Sequence, residues 1–348
     1  FPKYLNTITL VFLLCLLPAG AQDFQFRNYD RDDGICNSFV YSLDQDYRGY
    51  LVAGTGSGLC LFDGFRFTPV LSGDSLIRGY VTTLYRTKGG TLWAGFSDGN
   101  TVSFDRSGFR TLNTRQFGSG NINQIVSTPE GDLYIATQAN GLIHYRDTLR
   151  RLDPGHLIYS LGWIKKNLLL LGTGEGLFVY RIQNDSLLLE ERKIAEIPEE
   201  RINWIVPRKN SGGFWVASSG GVYALMPELD YSVIPITGTL EMEDLNIQHV
   251  FEDNDQHLWV STFGRGVIKL LYDPSTGAYT GIREYSTGNG LVSDNIKQVY
   301  QDHEGNIWMS TFGRGLSMLL DEAFGFYYFP ETGLGNNLTA VYADSDGY

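Results

Sequence analysis

The hexapeptide Ser-Thr-Phe-Gly-Arg-Gly occurs twice, at 261–266 and at 310–315. That duplication restricts the fold more than any other feature of the chain. Each copy sits in a longer cassette. In 302–316 an Asp-His-Glu-Gly turn leads into a short apolar run, Ile307 to Thr311, then a Gly-rich turn, then Leu316. The pattern is a β-hairpin: Asp can bond its own backbone and Gly accepts positive φ. A repeat has to be settled before any local reading. Using the tryptophan as a ruler, Trp308 and Trp259 align with Trp215 and Trp93, and more weakly with Tyr134, Leu170 and Val52. The seven positions lie about 36 to 49 residues apart, the range of propeller repeats. Each is flanked by apolar strands: Ile296 to Tyr300, Ile247 to Phe251, Ile122 to Val126 and Val40 to Leu43 before; Leu316 to Leu320, Val267 to Tyr272, Leu177 to Tyr180 and Leu142 to Tyr145 after. A more variable fourth strand follows, as in Phe65 to Val70, Tyr231 to Pro235 or Ile282 to Tyr285. Four short antiparallel strands repeated seven times predict an all-β, seven-bladed β-propeller, with the aromatic position packed between blades. A parallel β-helix is the alternative, but its coils are shorter and lack such hairpins.

The ends of the chain carry their own signals. Lys3, an apolar run from Ile8 to Leu17, and Ala19-Gly20-Ala21 form a signal-peptide pattern over 1–21, with cleavage before Gln22. An uncleaved membrane anchor is the alternative, against which the run is short. Phe24 to Tyr29 resembles the outer strand Ile282 to Ser286 but precedes any complete unit. It is therefore expected to join the blade of Trp308 and close the ring of a propeller spanning 22–322, leaving no open edge. At the other end, Asn337 to Tyr348 repeats the pattern of Asn295 to Asn306. Residues 323–348 are thus expected to open a second propeller, an incomplete eighth blade being the alternative.

Between these ends, a net charge of −12 disfavours nucleic acid and anionic membrane as partners. Cys36 and Cys60 fall near one end of the first blade, where either a disulfide or two free thiols is consistent with the spacing.

The cassette Asn-x-Ile/Val-x-x-Val-x-x-Asp-x-x-Gly-x-Ile/Leu-Trp, followed by Ser-Thr and a Gly-rich turn, resembles the repeat of periplasmic two-component regulator propellers. The likeness is tightest over 246–318, and Phe24-x-Phe26 with Asp33-Gly34 resembles that family's mature N-terminus. The resemblance implies the sensor region of a hybrid two-component histidine kinase. Such regions typically have two seven-bladed propellers, a small Ig-like domain and one membrane span. Many detect glycan-derived oligosaccharides and switch on the matching genes. It further implies a periplasmic location, an oligosaccharide ligand, homodimerisation through the full receptor, and membrane attachment only through a C-terminal span.

No catalytic, metal or cofactor motif stands out. The histidines 144, 156, 249, 257 and 303 are scattered. Asp44-x-Asp46, Asp253-x-Asp255 and Asp302-x-Glu304 lack the further oxygen ligands of a calcium loop and read as turns. A ligand is expected where the loops before the inner strands meet the turns between second and third strands, around the central channel. Tyr80, Phe96, Asp98, Tyr159, Glu175, Phe263, Arg265, Phe312 and Arg314 are the candidate ligand-binding residues there. Asp33, Asn37, Arg78, Asn121, Asn123, Arg201, Asn203, Asn246, Gln248 and Asn295 lie in the same loops. Planar rings beside hydrogen-bonding side chains suit carbohydrate, and the two arginines could clamp a carboxylate or sulfate. The bland alternatives are that the arginines pair with acids of a neighbouring blade, that the asparagines cap backbone, and that Trp163 and Trp204 fill core rather than face the channel. Two other functions remain open: a protein-interaction scaffold without a small ligand, and a propeller lyase or hydrolase.

Overall fold

The computed structural model describes residues 23–70, 80–152, 155–165, 167–183, 186–191, 194–236 and 245–326. The expected signal peptide, Arg78 and the repeat at 337–348 lie outside them. Strand β1 (Asp23–Tyr29) comes first and belongs to the last blade. Blade 1 is β2 to β5 (Val40–Gln45, Leu51–Thr55, Gly58–Phe62, Phe67–Pro69) and blade 2 is β6 to β9 (Val81–Arg86, Leu92–Phe96, Thr101–Asp105, Gly108–Leu112). Blade 3 is β10 to β13 (Ile122–Ser127, Leu133–Thr137, Gly141–Tyr145, Leu149–Leu152) and blade 4 is β14 to β17 (Ile158–Lys165, Leu168–Thr173, Gly176–Gln183, Ser186–Glu191). Blade 5 is β18 to β21 (Ile202–Pro207, Phe214–Ser218, Val222–Met226, Ser232–Pro235) and blade 6 is β22 to β25 (Ile247–Glu252, Leu258–Thr262, Val267–Asp273, Ala278–Tyr285). Blade 7 is β26 to β28 (Ile296–Gln301, Ile307–Thr311, Leu316–Phe326), completed by β1 in the order β26-β27-β28-β1. The chain is thus an all-β, seven-bladed propeller of four-stranded antiparallel sheets, as the repeat predicts.

The closing strand pairs as expected. Tyr29 lies opposite Leu316 and Arg27 opposite Met318 in an antiparallel register. Its rings tie blade 7 to both neighbours. Phe24 packs on Tyr285 of blade 6 at 4.6 Å between centroids. Tyr29 packs on Phe62 and Phe67 of blade 1 and on Trp308, at 5.3, 5.4 and 5.5 Å. A terminal strand placed this way removes the edge at which an open ring would pair with other chains.

The core is divided among the seams between blades. Among the described residues seven hydrophobic clusters are present, one at each seam. The ruler position contributes to every one: Val52, Trp93, Tyr134, Leu170, Trp215, Trp259 and Trp308 each face the next blade. The indoles of Trp259 and Trp308 also donate to the Asp that opens their own hairpin, Asp253 Oδ2 and Asp302 Oδ2, both at 2.8 Å. The other oxygen of each carboxylate accepts backbone N–H groups of the turn, so these acids fasten hairpins.

Two residues beyond the ruler, on the same face of the strand, comes a column of small residues: Gly54, Gly95, Ala136, Gly172, Ala217, Ser261 and Ser310. The reason is steric. A Cβ at Gly95 would lie 2.5 Å from Cβ of Ile122, and one at Gly172 would lie 2.8 Å from Cβ of Ile202. The inner strand of the following blade therefore rests almost directly on the backbone at this position.

The duplicated cassette completes the seam. The N–H groups of Gly264 and Gly266 both donate to Asp294 O, at 2.9 Å each. The N–H groups of Gly313 and Gly315 both donate to Ser38 O, at 3.2 and 2.8 Å. Gly315 has φ +77°, and a Cβ there would collide with the carbonyl oxygen of Tyr29, so no other residue fits.

Cys36 and Cys60 are joined in a disulfide, with Cα atoms 5.8 Å apart across a sequence separation of 24. The first of them lies in the loop after β1, which folds back over β4 and brings the sulfurs together. The bond staples the closing segment to blade 1, and its presence suits an oxidising compartment.

Two stability measurements test these seams. Gly95→Ala should cost about 1–3 kcal/mol in chemical denaturation because Ile122 cannot retreat from the added carbon, whereas Gly89→Ala, with its nearest atom 3.8 Å away, should stay within about 0.5 kcal/mol of the parent. The double change Cys36→Ser with Cys60→Ser should cost about 3 kcal/mol, the loop-closure value for this separation. Adding reductant to the parent should reproduce it.

Candidate functional site

Each inner strand opens with a β-branched aliphatic residue that is fully buried: Val40, Val81, Ile122, Ile158, Ile202, Ile247 and Ile296. Strand alternation turns the following residue the other way. That residue is Tyr41, Thr82, Asn123, Tyr159, Asn203, Gln248 or Lys297, and all seven line one cavity of about 490 Å³ at the mouth of the central channel. The residue just after the second strand forms an upper tier. Ser97, Gln138, Phe263 and Phe312 reach the same cavity from that position.

One side of the mouth is aromatic. Phe312 meets Phe39 edge-on at 4.9 Å, Tyr41 edge-on at 5.9 Å and Phe263 at 5.5 Å. Tyr41 in turn stacks on Tyr80 at 6.0 Å, with 20° between planes. The arc spans blades 6, 7, 1 and 2. Tyr80 and Phe312 remain 53% and 43% exposed, a large apolar surface to leave in water.

The other side is polar and tied to the seams. Asn123 Nδ2 donates to Ile158 O at 2.7 Å, Asn203 Nδ2 to Ile247 O at 2.6 Å and Thr82 Oγ1 to Ile122 O at 2.6 Å. These residues lock one blade to the next and leave their remaining polar atoms at the channel. Arg201 donates from Nε to Asn203 Oδ1 at 2.6 Å and lies over the ring of Tyr159 at 5.3 Å.

Deeper in the channel, His249 packs on Trp204 at 4.7 Å. Burial, with a smaller effect of Lys297, pushes the His249 imidazole down to about 3, so the ring is neutral at physiological pH. Four buried side-chain polar atoms have no protein partner among the described residues. Three of them, Ser42 Oγ, Trp204 Nε1 and His249 Nδ1, belong to residues of the cavity wall. A buried polar group without a partner costs on the order of 1–3 kcal/mol, which a water or ligand in the channel would offset.

Of the residues predicted for ligand contact, Tyr80, Tyr159, Phe263 and Phe312 line the mouth, together with Asn121, Asn123, Arg201, Asn203 and Gln248 from the same loops. Phe96 does not. It is 0% exposed, inside the cluster between blades 1 and 2. The hairpin of blade 2 is aligned with its ring on the last residue of the strand, level with Thr311, so its neighbour Ser97 takes the channel-facing place. A one-residue offset reverses the face.

Asp98 accepts from the backbone N–H and the amide of Asn100, at 3.0 and 2.7 Å, as a turn residue. Glu175 is exposed and lies 3.7 Å from His156. Arg265 pairs with Glu284 at 2.7 Å, an acid on its own blade and not the adjacent one. Arg314 is exposed beyond the cavity lining. Of the off-column tryptophans, Trp204 is on the channel wall and Trp163 stacks on Tyr134 at 5.8 Å.

Tyr41, Ser42, Thr82, Ser97, Gln138, His249, Lys297 and Gln298 are not singled out by the sequence although they line the mouth. The signal that finds Tyr41, Thr82 and Lys297 is the place just after a buried Val or Ile that opens an inner strand.

A family model described as "Two component regulator propeller" matches residues 290–313. No curated protein matches the chain in sequence. Among solved structures, the ring is similar to the extracellular domains of two putative hybrid two-component systems from B. thetaiotaomicron. One is 17% identical with a TM-score of 0.68, covering 85% of this chain and 42% of that one. The other is 18% identical with a TM-score of 0.67, covering 86% of this chain and 39% of that one. The chain therefore spans about two-fifths of the length of either domain. A streptogramin B lyase is similar at 15% identity and a TM-score of 0.64, covering 86% of this chain and 98% of that one. At these identities the structural likenesses establish the fold. The repeat at 290–313 is thus of the two-component regulator propeller type, and it lies in the last of seven blades built to one plan.

Proposed function

We propose that the chain is part of the periplasmic sensor region of a hybrid two-component regulator and binds an oligosaccharide at the channel mouth. The observation that carries this reading is the aromatic arc of Phe263, Phe312, Tyr41 and Tyr80. It faces amide and hydroxyl groups across a cavity of about 490 Å³. Sugars present C–H faces to rings and hydroxyls to amides, and this mouth offers both within one cavity. The walls are set by strands and seams, so little ordering would oppose binding.

The family repeat supports the sensor role, and the structural relatives are extracellular domains, which supports export and agrees with the disulfide. In this reading the ring itself does no chemistry. It passes occupancy to a histidine kinase elsewhere in a dimeric receptor, which reaches the membrane through a later span. Among the described residues no helix is long and apolar enough to cross a membrane.

The test is a titration of the intact exported region against a panel of neutral, acidic and sulfated oligosaccharides, followed by calorimetry and thermal melting. A ligand from the panel should raise the melting temperature by several degrees. Phe312→Ala and Tyr80→Ala should each weaken its binding about tenfold, or about 1.4 kcal/mol, without lowering the melting temperature of the free protein. Binding that survives both substitutions would place the ligand elsewhere, and silence across the panel would favour a scaffold that meets only other proteins.

A further inference from the structure

The ring of seven inner-strand residues that face the channel holds one charged member, Lys297; the others are Tyr41, Thr82, Asn123, Tyr159, Asn203 and Gln248. A second cation, Arg201, reaches the same cavity from the loop before β18. No Asp or Glu is among the described residues that line it. This is a marked local reversal in a chain whose net charge is −12.

The partners of the two cations make the point sharper. Lys297 Nζ donates to the neutral amide of Gln248 at 3.4 Å, a long contact. Arg201 Nε donates to the neutral amide of Asn203 and lies over the Tyr159 ring. Elsewhere several cations pair with acids, as Arg48 does with Asp46, Arg146 with Asp132, Lys165 with Glu228 and Arg265 with Glu284, although exposed Lys209 also donates to a neutral amide, that of Asn254. The neighbouring acids Glu200 and Asp294 bond elsewhere and not to these cations. Glu200 accepts from the hydroxyls of Ser218 and Ser219, and Asp294 from the hydroxyl and N–H of Thr287. Two cations held in a walled cavity by neutral groups are positioned but not neutralised, and each still has donors to give.

We infer that the channel mouth selects an anionic sugar, its carboxylate or sulfate seated between Lys297 and Arg201 while its ring lies against the Phe312–Tyr41–Tyr80 arc. The inference rests on the sensor reading above and narrows it to a ligand class. It also reassigns the anion contact that the sequence suggested for Arg265 and Arg314, since one of these is already paired with an acid and the other stands outside the cavity. The same surroundings act on the charge of Lys297. Burial, and then repulsion from Arg201, push its ammonium down to about 8, a shift that an anion seated beside it would oppose. Ser42 Oγ and His249 Nδ1, buried on the same wall without a protein partner, can serve the hydroxyls next to the acid group.

The experiment is a calorimetric titration of the exported region with matched ligands: a uronic-acid oligosaccharide, a sulfated oligosaccharide, the neutral oligosaccharide of the same length, and inorganic sulfate alone. At least one acidic oligosaccharide should bind tenfold or more tightly than its neutral counterpart. The uronate and sulfate arms decide which oxyanion it is. Lys297→Met and Arg201→Met should each remove most of that preference while leaving the circular dichroism of the protein unchanged. If the neutral sugar binds as tightly as the acidic ones, or if the acidic preference survives Lys297→Met, the anion site is wrong and the sensor reading stands. If no sugar binds, both fail together. Binding of inorganic sulfate as tight as that of the sulfated sugar would show an ion site with no sugar selectivity, and would also overturn the inference.

Discussion

The whole architecture depends on how closely one blade can approach the next. Each seam brings a second strand against the following inner strand, and the approach is close enough to forbid a Cβ at Gly54, Gly95 and Gly172. Close approach is what allows a large ruler side chain two residues away to be covered completely, as with Trp259 at 0% exposure and Trp215 and Trp308 at 2%. The two features are complementary: a small residue sets the distance and a large one fills the resulting wedge. At the two sharpest copies the Gly-rich turn adds a pair of N–H groups aimed at one carbonyl of the next blade. A blade alone would expose both apolar faces, so the seams make the ring a single cooperative object.

The same constraint builds the mouth of the channel. Because Val or Ile at the start of each inner strand is buried in a seam, the next residue is forced toward the axis. Seven such residues at one level form a ring whose chemistry can vary without disturbing the seams, apart from those that also donate across them, as Asn123 and Asn203 do. This division explains how a scaffold of near-repeats can carry an unsymmetrical site: aromatic over blades 6, 7, 1 and 2, polar and cationic toward blades 3 to 5 and at Lys297. The repeated residues hold the ring, and the unrepeated ones face whatever enters it.

Much of this architecture is legible in the amino-acid sequence alone. The tryptophan ruler counts the blades, and the unpaired Phe24 to Tyr29 segment points to its partner strand, because a period of this kind leaves one strand missing at the end. The turn that follows their strands places Phe263 and Phe312 at the mouth. What is not legible has physical causes. Phe96 misleads because the hairpin of blade 2 carries its aromatic residue one place earlier than the cassettes at 263 and 312, and one place in a strand is the opposite face. Lys297 and Thr82 are hidden because a polar residue inside a strand ordinarily signals solvent, and here it faces a channel. Spacing alone does not choose between a disulfide and two thiols for Cys36 and Cys60, since the choice rests on the loop after β1 folding over β4. Arg265 and Arg314 repeat because their turns repeat, and neither supplies a wall of the cavity.

The most direct measurement is a crystal structure of the protein grown with a saturating acidic oligosaccharide. A sugar ring is expected against Phe312 or Tyr80, with its oxyanion within hydrogen-bond distance of Lys297 Nζ or Arg201. A sugar bound on the outer strands or along the rim near Arg314, with the channel mouth unoccupied in the same crystal, would contradict it.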